Sequence, residues 1–404
     1  MEHRGAEGHQ RHGVLWSYTG GAGAVQADGG NVTLLIDNDV VKKVLKMDEC
    51  IQTQEDAFRG LLTRDSVHRS RIDVYVPTER DDDYYRWGTM EGSVASLGVH
   101  AIRLKSDVIS WPTDAQGGWT EEKYCSRPGL FCGLILLFST RNGEPLAIIN
   151  DGQLQHMRVA AGAGIGAKYL ARENARVVGM IGSGGMARTF LQAFCCVRDI
   201  REVRVYSPNQ AHREAYAEEM GPALGIEVLP VDRPEDAARG ADIVSTCTDS
   251  MAPVLDSVWL EPGMHITCLG PFEWGQDVVA RATVAIRQGL SGVIPTDPEQ
   301  RIGVGRGHSP VAYIAGSDDQ VARIPGAKPT MLFETADRKM PQITDLFAGR
   351  TSGRSSGSDI TAYSAAGYQG LQFAAAGWLA YHRAKQQGLG RELPTEWFLQ
   401  DIRD

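Results

Sequence analysis

The sequence predicts an α/β protein whose central Rossmann dinucleotide-binding domain interrupts a second, discontinuous α+β domain. Three observations predict it. The apolar run Val177-Val-Gly-Met-Ile181 feeds directly into Gly182, Gly184 and Ala187. An alternation of helical and strand-like segments follows. The chain before Gln153 and after about Ile343 lacks that alternation, so these two segments must together build whatever else exists.

The glycine turn has a physical reading. A buried strand ends at Ile181, one glycine lets the chain reverse, and a second lets backbone N–H groups approach a pyrophosphate at a helix start. Small Ala187 permits helix and strand to pack closely. Gly182, Ser183, Gly184, Gly185, Met186 and Ala187 are therefore expected at a dinucleotide. Residues 188–198 read as an amphipathic helix and Glu202–Tyr206 as the next strand, completing a βαβ unit.

The other elements follow in order. Residues 1–13 are polar and expected to be disordered. Between Asn31 and Leu62 come a strand (Val32–Ile36), a helix near Asp39–Leu45 and a longer helix from Ile51 to Leu62. Residues 70–110 alternate polar and apolar side chains, as strands with one lined face do, and Arg103 and Lys105 share a face. Leu134–Phe138 and Leu146–Ile149 flank Asn142-Gly143, which supplies the positive φ angles of a hairpin turn. A helix over 154–172 is rich in Ala and Gly. Strands continue at Glu227–Leu229, Ala241–Thr246, His265–Leu269 and Thr283–Ile286. Residues 303–330 read as a long loop or insertion, and 370–387 as a helix before a polar tail. The expected division is 30–152 with 343–404 for one domain and 153–342 for the other.

Composition narrows the function. A chain of 404 residues with 42% hydrophobic and 23% charged content fits two ordinary globular domains. A net charge of −9 argues against nucleic acid or an anionic membrane as partner and for a small molecule. The seven cysteines include no CxxC pair and no zinc-like His spacing, so no metal is expected and a reducing cytoplasm fits. No apolar stretch approaches membrane-spanning length.

Pro145-Leu-Ala-Ile-Ile-Asn-Asp151, Met157-Arg-Val-Ala-Ala161, the Gly182 turn and Pro262-Gly-Met-His-Ile-Thr-Cys-Leu-Gly270 occur in that order. Together with Gly349–Arg354 and Gly388-Leu-Gly390, they resemble the ornithine cyclodeaminase and mu-crystallin family from about Val32 to Gly390. The resemblance implies a homodimer in which the discontinuous domain binds substrate and carries the dimer contact, and the central domain binds NAD or NADP. It implies hydride transfer between nicotinamide and the α-carbon of an amino or imino acid.

The family arginine that grips the substrate carboxylate falls on Arg158, and a second on Arg71, with Arg69 competing. The family lysine falls on Arg103 by spacing or on Lys105 by residue type; only Lys105 is titratable. Cyclodeaminases carry an aspartate where this chain has Phe272, so Glu273 is the nearest acid. Glu91 is an acid that enters the cleft from its loop. No carboxylate ends the second Rossmann strand, and Ser207, Asn209 and Arg213 are placed to receive a 2′-phosphate, which favours NADP over NAD. Thr246, Cys247, Thr248 and Gly270 are expected beside the cofactor. The leading expectation is an NAD(P)-dependent imine reductase or amino acid dehydrogenase. A cyclodeaminase and a non-catalytic, crystallin-like cofactor-binding protein are the alternatives.

Overall fold

A computed structural model of the chain describes residues 32–402, apart from 114–118, 125, 126, 128, 271, 290–301, 307, 308, 315, 327–333, 336 and 337. The tail expected over 1–13 lies outside the described residues. The N-terminal part comprises β1 (Val32–Ile36), α1 (Asn38–Val44), α2 (Met47–Thr63), β2 (Ser66–Pro77), β3 (Asp83–Val94), β4 (Val99–Ser110), β5 (Glu122–Tyr124), β6 (Cys132–Ser139) and β7 (Pro145–Asn150). The middle comprises α3 (Gly152–Leu170), β8 (Val177–Ile181), α4 (Gly185–Val197), β9 (Glu202–Tyr206), α5 (Gln210–Leu224), β10 (Glu227–Pro230), α6 (Pro234–Ala238), β11 (Ile243–Thr246), β12 (His265–Cys268), α7 (Gln276–Arg281) and β13 (Val284–Arg287). There follow β14 (Ile302–Arg306), β15 (Ser309–Ile314), α8 (Asp318–Arg323), the two-strand ribbon β16 (Glu334–Thr335) and β17 (Arg338–Lys339), α9 (Ile343–Phe347), β18 (Thr361–Ser364), α10 (Gln369–Gln386) and β19 (Arg391–Pro394).

Seven parallel strands in the order β10-β9-β8-β11-β12-β18-β13 form the doubly wound sheet expected from the sequence. The larger sheet has the order β14-β15-β2-β3-β4-β6-β7-β1-β19, with β5 paired to β4. Sheet membership departs from the domain limits read in the sequence. β18 lies beyond residue 342 yet pairs between β12 and β13, while β14 and β15 lie before it yet join β2. β18 follows the long segment from β14 to α9 and so stands outside the βα alternation, and Gly and Pro in and around β14 and β15 disguise two strands as a loop. In the hairpin between β6 and β7 only Gly143 takes a positive φ, 78°, so the connection is a longer loop than the two-residue turn expected.

One face of the large sheet is covered by α10, and α2 and α3 continue that layer into the dinucleotide domain. The two sheets share one buried core, from Ile36 and Ile135 through Ala160 and Phe373 to Val178 and Phe194. Small residues set the spacing. A Cβ on Gly370, in the first turn of α10, would overlap the Glu91 carbonyl of β3, and one on Gly92 would come 2.5 Å from the Gly370 carbonyl carbon. Helix and strand backbones therefore touch without intervening side chains.

Gly370→Ala must push α10 off β3, and overpacking of this kind costs about 1–3 kcal/mol. The urea midpoint is expected to fall accordingly, and an unchanged midpoint would refute the backbone contact.

Candidate active site

The dinucleotide turn has the geometry its glycines predict. Gly182 adopts φ 110°, its N–H donates to the Tyr206 carbonyl at 2.8 Å, and a Cβ there would overlap the Cys247 carbonyl. Gly184 caps α4 with nothing within 4 Å of its Cβ position, which leaves an open cradle at a helix start, as a pyrophosphate requires. Beside it lies a cavity of about 1140 Å³. Gly182 to Met186, Ser207, Asn209, Cys247 and Thr248 all line it.

Four residues expected at the cofactor do not line this cavity. Ala187 is buried in α4, its carbonyl accepting from the Tyr216 hydroxyl at 3.1 Å. Thr246 is buried behind its strand end, and the Gly270 N–H turns to Glu273. Arg213 donates to the Ser207 carbonyl at 3.0 Å and pairs with Asp232, so its guanidinium braces the loop after β9.

Glu273 is neither the open catalytic acid nor a solvated loop residue. It is wholly buried, and its carboxylate accepts from Thr248 N, Thr248 Oγ1, Thr246 Oγ1, Leu269 N and Gly270 N at 2.5–3.2 Å. Burial raises its pKa while these donors oppose the rise. One carboxylate thus ties together the loops leaving β11 and β12, the floor of the cofactor cleft.

The second half of the site is on the inner face of the large sheet. Arg103 lies opposite Met90 and Lys105 opposite Gly88, so both point toward α10, as a two-residue period requires. An irregularity in β2 between Arg69 and Ile72 puts Arg71 on this inner face and Arg69 on the outer one. Glu91 is also on the outer face, paired with Arg69, and does not enter the site. Arg71 pairs with Asp73 at 2.6 Å, Arg103 with Asp151 at 2.5 Å and Lys105 with Asp107 at 2.9 Å.

Arg158 is different. It is 6% exposed, donates to Gln155 Oε1 at 2.9 Å and Gln372 Oε1 at 2.7 Å, and stacks over Phe373 at 4.7 Å. Among the described residues no carboxylate pairs with it. Burial, then the nearby Arg103, pushes its pKa down to about 9, which still leaves a charged guanidinium at neutral pH. Neutral amide acceptors leave the charge of this buried cation uncompensated among the described residues.

Sequence reasoning missed the residues that join the two halves. Asp151 precedes α3, and His156, one turn further, lines the dinucleotide cavity with its ring against Gly185. Burial lowers the pKa of His156 and Asp151 opposes that shift. Asn150-Asp151-Gly152 does read as a helix start, but nothing local marks Gln372, 214 residues from its partner Arg158.

The dinucleotide turn beside its cavity and the cation-bearing inner face of the larger sheet, joined through α3, define a dinucleotide-fold protein. The chain belongs to the ornithine cyclodeaminase/mu-crystallin family, whose family model matches residues 128–388. It is 28% identical over 358 residues to an uncharacterized cyclodeaminase of Sinorhizobium fredii, covering 87% of this chain and 95% of that protein. Among solved structures, Delta(1)-pyrroline-2-carboxylate reductase of Thermococcus litoralis in complex with NADH and L-proline superposes with TM-score 0.69 at 24% identity, covering 89% of this chain and all of that one. An archaeal alanine dehydrogenase dimer with bound NAD gives 0.66 at 24% identity, covering 90% and 99%.

Glu273→Gln places an amide NH₂ among donors. Hydrogen bonds to a charged group contribute about 1.5–3 kcal/mol, so stability is expected to fall by about that amount and cofactor affinity with it. Denaturant titration and fluorescence binding of NADH measure the two. A variant equal to the parent in both would remove the clamp from the site.

Proposed function

We propose that the chain is an NAD(P)-dependent oxidoreductase acting on the C–N bond of an amino or imino acid. The observation that carries this is Arg158, a buried cation with no carboxylate paired to it among the described residues, on the same helix α3 whose His156 lines the dinucleotide cleft. A bound nicotinamide supplies the hydride that the imine carbon gains on reduction. Arg158 and Arg103 bind the substrate carboxylate and, with Phe373 beneath both guanidiniums, fix its orientation. Neither arginine can exchange a proton at neutral pH. His156 and Asp151 are the titratable groups where sheet and cleft meet, and we assign them the proton that the nitrogen gains. Lys105, grouped with Asp107, Arg86 and Lys123, is left as a binding cation.

Ser207, Asn209 and His212 at the ribose end of the cleft place no carboxylate against a 2′-phosphate, and Arg213 is held by Asp232. Both NADPH and NADH are therefore expected to serve. The reading favours a reductase over a cyclodeaminase, since Phe272 is buried and Glu273 is bound up in the loop clamp. The cytoplasm, where thiols stay reduced, is the compartment that suits it.

We also infer a homodimer. The outer face of the large sheet exposes Val67, Val74, Val76 and Trp87, an apolar surface suited to a second copy. Trp87→Glu is expected to shift sedimentation from dimer toward monomer; a parent chain that sediments as a monomer would exclude this interface.

NADPH and NADH absorbance is expected to fall when the protein meets cyclic imino acids or 2-oxo acids with ammonia. Arg158→Ala should lower turnover by about a hundredfold, the value of a lost charged hydrogen-bond pair, while cofactor binding survives. Absorbance unchanged across a broad panel would end the redox reading.

A further inference from the structure

Lys105 lies on β4 between two strands that place no side chain directly opposite it. Its neighbours across both flanking strands are glycines, Gly88 on β3 and Gly133 on β6. A Cβ on Gly88 would overlap the Asp73 carboxylate, and one on Gly133 the Asp151 carboxylate. Side chains from two directions thus lean in over the positions that flank Lys105. Its own partner Asp107 is already neutralised by Arg86 at 2.7 Å, and Arg86 also meets Glu121, to which Lys123 of β5 comes within 3.5 Å. Lys105 is therefore not needed as the counter-ion of Asp107.

Charge counting points the same way. Arg71, Arg86, Arg103, Lys105, Lys123 and Arg158 share this face with four carboxylates, Asp73, Asp107, Glu121 and Asp151. With Lys105 protonated, the face carries, among the described residues, two positive charges more than its carboxylates balance. One excess belongs to Arg158 and Arg103, the other to Lys105 and Lys123. Positions two apart on a strand are about 6.6 Å apart, a span that the two ends of a short dicarboxylic acid can bridge. The side chains of Lys105 and Lys123 are 20% and 34% exposed, so a ligand can reach them.

We propose that Lys105 and Lys123 form a second anion subsite, so that the substrate is a four- or five-carbon amino or imino dicarboxylic acid with its α-carboxylate at Arg158 and Arg103. The identity of the substrate rests on the oxidoreductase reading above; the subsite itself does not. Burial and the cations Lys123, Arg86 and Arg71 push the Lys105 amine down to about 7, and a carboxylate arriving beside it would reverse that cost.

Calorimetry on the full chain with saturating NADH compares succinate with butyrate, equal in carbon number but one carboxylate short. Succinate is expected to bind at least about tenfold more tightly, the lower range for a charge-assisted contact. Lys105→Met should abolish that preference, Lys105→Arg should restore part of it, and Lys123→Gln, on a more exposed residue, should reduce it even if Lys105→Met fails to fold. Equal affinities in the parent, or a preference untouched by Lys123→Gln and Lys105→Met, would overturn the proposal. Turnover separates the two readings. NADH oxidation with neither oxaloacetate nor pyruvate plus ammonia, but a lysine-dependent succinate preference, rejects the reaction and keeps the subsite. Equal turnover of both oxo acids without a succinate preference keeps the reaction and rejects the subsite.

Discussion

Burial of positive charge in excess of the available carboxylates is the constraint around which the large sheet is organised. A guanidinium taken out of water without a paired anion is costly, and mutual repulsion between Arg158, Arg103 and Arg71 adds to it. The chain keeps Arg158 charged by supplying neutral acceptors, Gln155 and Gln372, and the ring of Phe373. Each supporting residue comes from α3 or α10, so the charge arrangement depends on both helices lying very close to the sheet.

That closeness is achieved by small side chains. Ala160, Ala161, Ala163 and Ala167 on α3, and Ala374, Ala375 and Ala376 on α10, are almost fully buried. At Gly166 a Cβ would overlap the Tyr363 ring of β18, and at Gly162 it would overlap Gln288, the residue after β13. The same helix thereby docks on the parallel sheet while holding Arg158 toward the larger, mixed one. The two halves of the site are fixed relative to each other by helix packing and a shared core rather than by a flexible linker.

What the sequence disclosed was local, and what it concealed was not. The turn at Gly182, the strand rhythm from β8 to β13 and the common face of Arg103 and Lys105 follow from periods and steric rules that act over a few residues. The fate of Arg213 depends on Asp232, that of Glu273 on donors contributed by two loops, and that of Arg158 on a glutamine far along the chain. The face taken by Glu91 follows from the pairing of β3, and the split between Arg69 and Arg71 from an irregularity in β2 that shifts phase by one residue. Neither signal exists in composition or spacing. β18 escaped because the segment from β14 to α9 separates it from the βα alternation, even though it joins β12 to β13 in the parallel sheet.

The replacement at Phe272 gains meaning from its neighbour. An acid at 273 is drawn inward by five donors, and withdrawing it would leave three backbone N–H groups and two hydroxyls without their acceptor. Glu273 therefore cannot swing into the cleft to manage an amine without dismantling the floor beneath the cofactor. Phe272, itself buried, leaves an apolar side chain where a cyclodeaminase would require a carboxylate. On the proposed function, acid–base work falls to the Asp151 and His156 end of α3, and binding to the cations on β2 and β4. Such a division suits a reaction needing one hydride and one proton better than one that must also expel ammonia.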